Sequence, residues 1–264
     1  MKKIELKRDM FAKEKVIFKD KASSFSAKVF TYSTGVEAVT IKNSKGYVTL
    51  LPFMGQMIWD MEFLGHNLVM KSIYDEPEVC KDNYGESYGS FLMHCGLTAM
   101  GNPTEKDNHT PHGELPIAKY KKAYVVCDKD EKGKYISVTG LYEHKRAFTH
   151  NYAFTPEVRL YEDASTIEVI VNIKNNKDLP LEYFYLCHIN YRPIDGAKLL
   201  YTAKSENIVA HAEVPEDYIE PTAQKTRDYI KMLNENSDIM KNIGNEFESY
   251  APEIVFTCKY DADE

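Results

Sequence analysis

Between residues 166 and 174, Ile167, Val169, Val171 and Ile173 fall on one side of an extended chain, with Glu168 and Asn172 opposite. A period of two marks a strand with one face in a core and the other toward water. The same reading predicts a hairpin over residues 123–142, with a charged turn at 128–133 between two β-rich runs. A second hairpin joins residues 36–42 to 47–51 around Asn43, Ser44, Lys45 and Gly46. Residues 153–161, 181–190 and 253–260 are further strands. Helix signals are few, and the best segment is 224–233, in a polar stretch after Pro221. Many short strands joined by turns predict an all-β fold with few short helices: a large antiparallel β-sandwich spanning residues 1–264 as a single domain.

A net charge of −7 argues against a general nucleic-acid or membrane partner, because phosphate binding needs a basic surface. The N-terminus, Met1-Lys2-Lys3-Ile4-Glu5-Leu6, has no apolar h-region behind its lysines, so no signal peptide is expected. No apolar run approaches the ~18–20 residues of a transmembrane helix. Cys80, Cys95, Cys127, Cys187 and Cys258 are odd in number and lack CxxC spacing, which fits reduced thiols and a cytoplasmic location. Tyrosine is in excess, 19 against one tryptophan. It favours strands, and its ring and hydroxyl also suit a polar, C–H-rich ligand such as a sugar.

Two stretches carry chemistry: residues 108–116, with His109, Pro111, His112, Gly113 and Glu114, and residues 187–191, with His188 and Asn190. Imidazole titrates near neutrality and can be acid, base or ligand. If 181–190 is a strand, Glu182, Phe184, Leu186, His188 and Asn190 share one face, and Tyr183, Tyr185, Cys187 and Ile189 the other. His188 and Asn190 then stand about 6–7 Å apart, close enough to reach one small polar ligand. His188 could equally be a structural histidine bonded to a carbonyl. Pro111 stiffens the approach to His112 and Gly113 permits an unusual backbone angle, which suits either a loop presenting imidazole at a cleft or a solvated turn. His109 is a second wall of such a site or plain surface. His94, Cys95, His109, His112 and His188 could supply metal ligands, but the tight pairs of structural zinc sites are absent, so no metal is expected. A serine hydrolase is disfavoured by the absence of GxSxG.

With these residues in view, the chain resembles the galactose mutarotase-like superfamily, the aldose 1-epimerases and their poorly characterised relatives. The resemblance covers roughly residues 51–200. It rests on the run from Pro52 to Ile58, then Cys95-Gly96-Leu97 with Gly101-Asn102-Pro103, then His112-Gly113, then Asn172, then His188-Ile189-Asn190-Tyr191. Asp195-Gly196 follows. It implies a supersandwich fold. His188 would protonate the ring oxygen, His112 would bind and polarise the sugar, and Asn190 would line the site. The reaction opens the pyranose ring by matched acid and base, with rotation about C1–C2 and reclosure, and no cofactor.

The resemblance also implies a catalytic glutamate on a late strand, which this sequence does not display before Glu264. The strand-like run at 253–260 is apolar on both faces, which predicts neighbours on each side and further strands beyond it. Glu114 and Asp195 are the nearby candidate bases, and Arg146 and Arg192 the candidate sugar-binding arginines. The expected function is interconversion of sugar anomers. The alternative is a non-catalytic carbohydrate-binding or sensing protein on the same fold. Which sugar is bound, and in which oligomer, is not legible.

Overall fold

The computed structural model describes residues 1–194, 196–211, 214, 219–241 and 255–260. Contacts group the chain into two compact units, Met1–Arg192 and Pro193–Glu264. The first carries β1 (Lys2–Glu5), β2 (Lys15–Lys19), β3 (Ser26–Thr31), β4 (Glu37–Lys42), β5 (Gly46–Leu50), β6 (Ile58–Phe63), β7 (His66–Asn67), β8 (Leu92–Leu97), β9 (Lys122–Asp130), β10 (Gly133–Arg146), β11 (His150–Tyr161), β12 (Ile167–Asn175) and β13 (Phe184–Ile189). One sheet runs β1-β9-β10-β11-β12 and the other β13-β8-β6-β5-β4-β3-β2, with β7 beside β6. The pairings are antiparallel.

The two sheets enclose one core, in which Val29, Ile41, Val48 and Leu92 of one sheet pack with Val125, Ile136, Val138 and Val158 of the other. Ile167 and Val169 join this core while Val171 and Ile173 join a second cluster with Tyr152 and Phe154, so the alternating face of β12 is the buried one. Each fully buried aliphatic side chain contributes roughly 1.5–3 kcal/mol, which is why the alternating strands find this arrangement. The fold is the antiparallel β-sandwich expected from the alternation. The far face of the larger sheet is apolar as well: Trp59, Met93 and Cys95 are buried there, with Tyr74, Tyr84 and Tyr88 packed against them. β8 is therefore buried on both sides along its whole length, which explains why its sequence, Leu-Met-His-Cys-Gly-Leu, shows no alternation.

Asn43 ties the β4–β5 turn to the opposite sheet. Its side-chain amide donates to the carbonyls of Tyr161 (2.7 Å) and Ala164 (2.8 Å) and its oxygen accepts from the backbone of Lys45 and Gly46. Asn43 is 2% exposed, so truncation leaves buried partners unsatisfied. Asn43→Ala is expected to cost about 2 kcal/mol in urea denaturation, with little change in slope.

His94, on β8, is fully buried. Its Nδ1 lies 2.8 Å from the Tyr185 hydroxyl, and its Nε2 has no described partner. Burial pushes its pKa down to about 4. The unfolded chain takes up this proton below the ordinary value of 6.5, the folded one only near 4. Stability is therefore lost as pH falls through that window, by about 3 kcal/mol at its acid end. His94→Gln should flatten the fall in denaturation free energy between about pH 7 and about pH 4.5; an unchanged pH slope would refute the assignment.

The second unit, described by itself, holds β14 (Ile208–His211), α1 (Thr222–Glu235) and β15 (Val255–Cys258). The helix contains the expected 224–233 segment. β15 pairs with β14, and Val255 is 53% exposed. Among the described residues, no helix is long and apolar enough to cross a membrane.

Candidate active site

The site lies on the far face of the larger sheet and is assembled from three segments. β13 supplies the first. Tyr185 and Cys187 pack into the sandwich interior, while Phe184 and Leu186 are exposed. His188 therefore projects away from the core, as the alternation required. Its backbone partner across the ladder is Met93, on the same outer face.

The loop after β8 supplies the second. The Gly96 and Leu115 backbones bind it down: Gly96 N–H donates to the His112 carbonyl (2.8 Å) and Leu115 N–H to the Gly96 carbonyl (2.8 Å). His112 N–H donates to the Gly101 carbonyl (2.9 Å). His112 itself adopts φ +57°, and Gly113 φ +77°. A left-handed angle at a non-glycine residue costs roughly 1–2 kcal/mol and persists only where surroundings over-determine it. The third segment is the short 3-10 turn Tyr84–Ser87 and Tyr88 after it.

These elements bring the two imidazoles together, with ring centroids 6.0 Å apart at 63°. Tyr84 stacks on His112 at 5.6 Å, and Tyr88 meets His188 edge-on at 6.0 Å. The Tyr88 hydroxyl donates to Asn190 Oδ1 (3.2 Å), and Asn190 Nδ2 donates to the Ser90 carbonyl (2.9 Å). Asn190 is 9% exposed, so it holds Tyr88 and the 88–90 segment in place. Nδ1 of His112 is buried with no hydrogen-bond partner among the described residues. A pair of imidazoles walled by tyrosines can exchange protons with a polar ligand and pack against its C–H groups.

The family can now be stated, since a model described as a domain of unknown function, DUF4432, matches residues 33–237. The chain belongs to the DUF4432 family. No curated protein sequence matches it. Among solved structures, this DUF4432 chain is similar to one described as a "putative aldose 1-epimerase" from Klebsiella pneumoniae subsp. pneumoniae MGH 78578. Identity is 16%, the TM-score is 0.61, and the match covers 81% of this chain and 59% of that one. The likeness establishes a galactose mutarotase-like fold, and the chain spans just over half of its neighbour's length.

The remaining residues singled out from the sequence lie elsewhere. Glu114 accepts from the Thr98 hydroxyl (2.7 Å) and from the Tyr152 hydroxyl. Burial alone would raise its pKa, but the bonds from Tyr152 and Thr98 outweigh that and hold the carboxyl below its ordinary range. Glu114 is thus a committed acceptor in a cluster with Tyr152, and His144 stacks on Tyr152 at 5.1 Å. His109 turns to its neighbour, its Nδ1 2.8 Å from the Thr110 carbonyl, with no described ring contact to His112. Arg192 lines a cavity described below. Asp195 lies outside the described residues. No group of three or more His, Cys, Asp or Glu side chains among the described residues is arranged to hold a metal ion. Tyr84 and Tyr88 were not singled out from sequence. Their only signal is the repeated Tyr-Gly pair within Tyr84-Gly85-Glu86-Ser87-Tyr88-Gly89, which is no stronger than that of any strand tyrosine.

Proposed function

We propose that this protein interconverts the anomers of a free sugar or sugar derivative, with the His112–His188 pair as its proton-handling centre. The observation that carries the reading is the 6.0 Å approach of two imidazoles from segments 76 positions apart in sequence, 188 minus 112. In this reading His188 protonates the ring oxygen as the ring opens, and His112 binds and polarises the sugar. Asn190 acts through Tyr88, whose ring lies against His188. The strained backbone of His112 fits a group held in one orientation for a reacting partner. The neighbour's description as a "putative aldose 1-epimerase" points the same way. The anomeric hydroxyl proton passes to a base other than Glu114, which is already engaged by Thr98 and Tyr152.

That engagement is also what favours a second reading, a protein that binds sugar at the imidazole pair without turning it over. NMR exchange between α and β anomers across a panel of aldoses decides between them. Exchange catalysed above the buffer rate supports the isomerase; saturable binding without exchange supports the binding protein.

A further inference from the structure

A cavity of about 540 Å³ lies in the same unit as the imidazole pair. Tyr32, Trp59 and Tyr74 give it aromatic walls, and Lys71, Asp75 and Arg192 give it charged groups of both signs. Trp59 and Tyr74 of its lining belong to the same apolar cluster as Tyr84 and Tyr88 of the site. Gly89, a lining residue, follows Tyr88 directly. Arg192 stands two positions beyond Asn190, about 6–7 Å along extended chain. The Tyr74 hydroxyl donates to the Gly85 carbonyl (2.8 Å), inside the turn that carries Tyr84.

We propose that this cavity binds the second glycosyl unit of a reducing disaccharide whose anomeric carbon lies at the imidazole pair. The proposal rests on the anomer-exchange reading of that pair and deepens it. A glycosyl unit presents C–H faces to aromatic walls and hydroxyls that both donate and accept. Lys71, Asp75 and Arg192 have no ion pair among the described residues, so donors and an acceptor are available together. Mixed charge favours a neutral polyol over a phosphate, which the carboxylates of Asp60 and Asp75, both lining the cavity, would repel. The volume falls within the usual range for small-ligand sites, roughly 300–1,000 Å³. Gly89 lets Trp59 and Ser72 pack closely over the cavity wall: a β-carbon there would stand 2.9 Å from the Trp59 ring and 2.6 Å from Ser72 Oγ and would displace them.

Trp59 is the only tryptophan of the chain, so its fluorescence reports on the cavity directly. Titration of the full chain with maltose, cellobiose and lactose should give a saturable change with at least one of them, tighter than with glucose or galactose. Arg192→Ala should weaken that binding about 10-fold or more, the loss of a charge-assisted hydrogen bond. Gly89→Ala should also weaken it, with unchanged circular dichroism. No saturable change with any of the three disaccharides, or one that Arg192→Ala leaves as tight, would overturn the proposal. Anomer exchange measured alongside separates the two claims. Exchange of glucose or galactose with no Trp59 response to disaccharides sinks the cavity proposal and spares the isomerase. A saturable, Arg192-dependent response without exchange supports the cavity and removes the isomerase.

Discussion

If His188 is the proposed acid, His188→Ala is expected to lower the rate of anomer exchange by about 10²–10⁴-fold, the usual contribution of a positioned general acid. The fold is expected to survive, because His188 projects from the outer face of β13 while Tyr185 and Cys187 supply the packing beneath. Exchange spectroscopy on the best substrate, with a urea melt of the same sample, checks both halves. A variant that keeps full activity would show that His188 is not the acid. A variant that melts several kcal/mol lower would show that its role is structural.

Gly113→Val is expected to remove both stability and activity. A β-carbon at this position would stand 2.5 Å from the Gly96 carbonyl oxygen and 2.6 Å from that of Ala99. Both obstacles are backbone and cannot rotate away. The angle φ +77° adds strain for a β-branched residue. Together these amount to about 4 kcal/mol, a large part of a typical domain's stability. The same loop presents His112, so whatever relaxation relieves the clash displaces the imidazole. Thermal denaturation should show a loss of this size, and exchange activity should fall in any fraction that stays folded. A melting temperature within a degree or two of the parent would refute the packing argument.

The sandwich was legible where a strand has one wetter face or a clear turn at its end. Ile167 to Ile173 on β12 alternate, and the β9–β10 and β4–β5 hairpins are marked by polar turn residues between β-rich runs; each forms where these signals place it. β8 was not legible, since burial on both sides erases the period. The 6.0 Å pairing of His112 with His188 could be anticipated from two local motifs and a resemblance. The two tyrosines that wall it could not, because a site tyrosine and a core tyrosine look alike in sequence. Glu114 shows the limit of reasoning from adjacency. It lies two positions from His112, yet Gly113 and its left-handed backbone separate them, and the carboxylate turns to Thr98 and Tyr152.

The mounting of His188 constrains how such sequences can diverge. On β13, odd-numbered Tyr185 and Cys187 belong to the interior and even-numbered His188 to the site. Substitutions on one parity can accumulate without touching the other. Length changes have no such freedom. Gain or loss of a single residue between Phe184 and His188 would carry the imidazole into the core and turn the thiol and phenol of its neighbours to solvent. An insertion or deletion is therefore better accommodated in the connections on either side of the strand than within it.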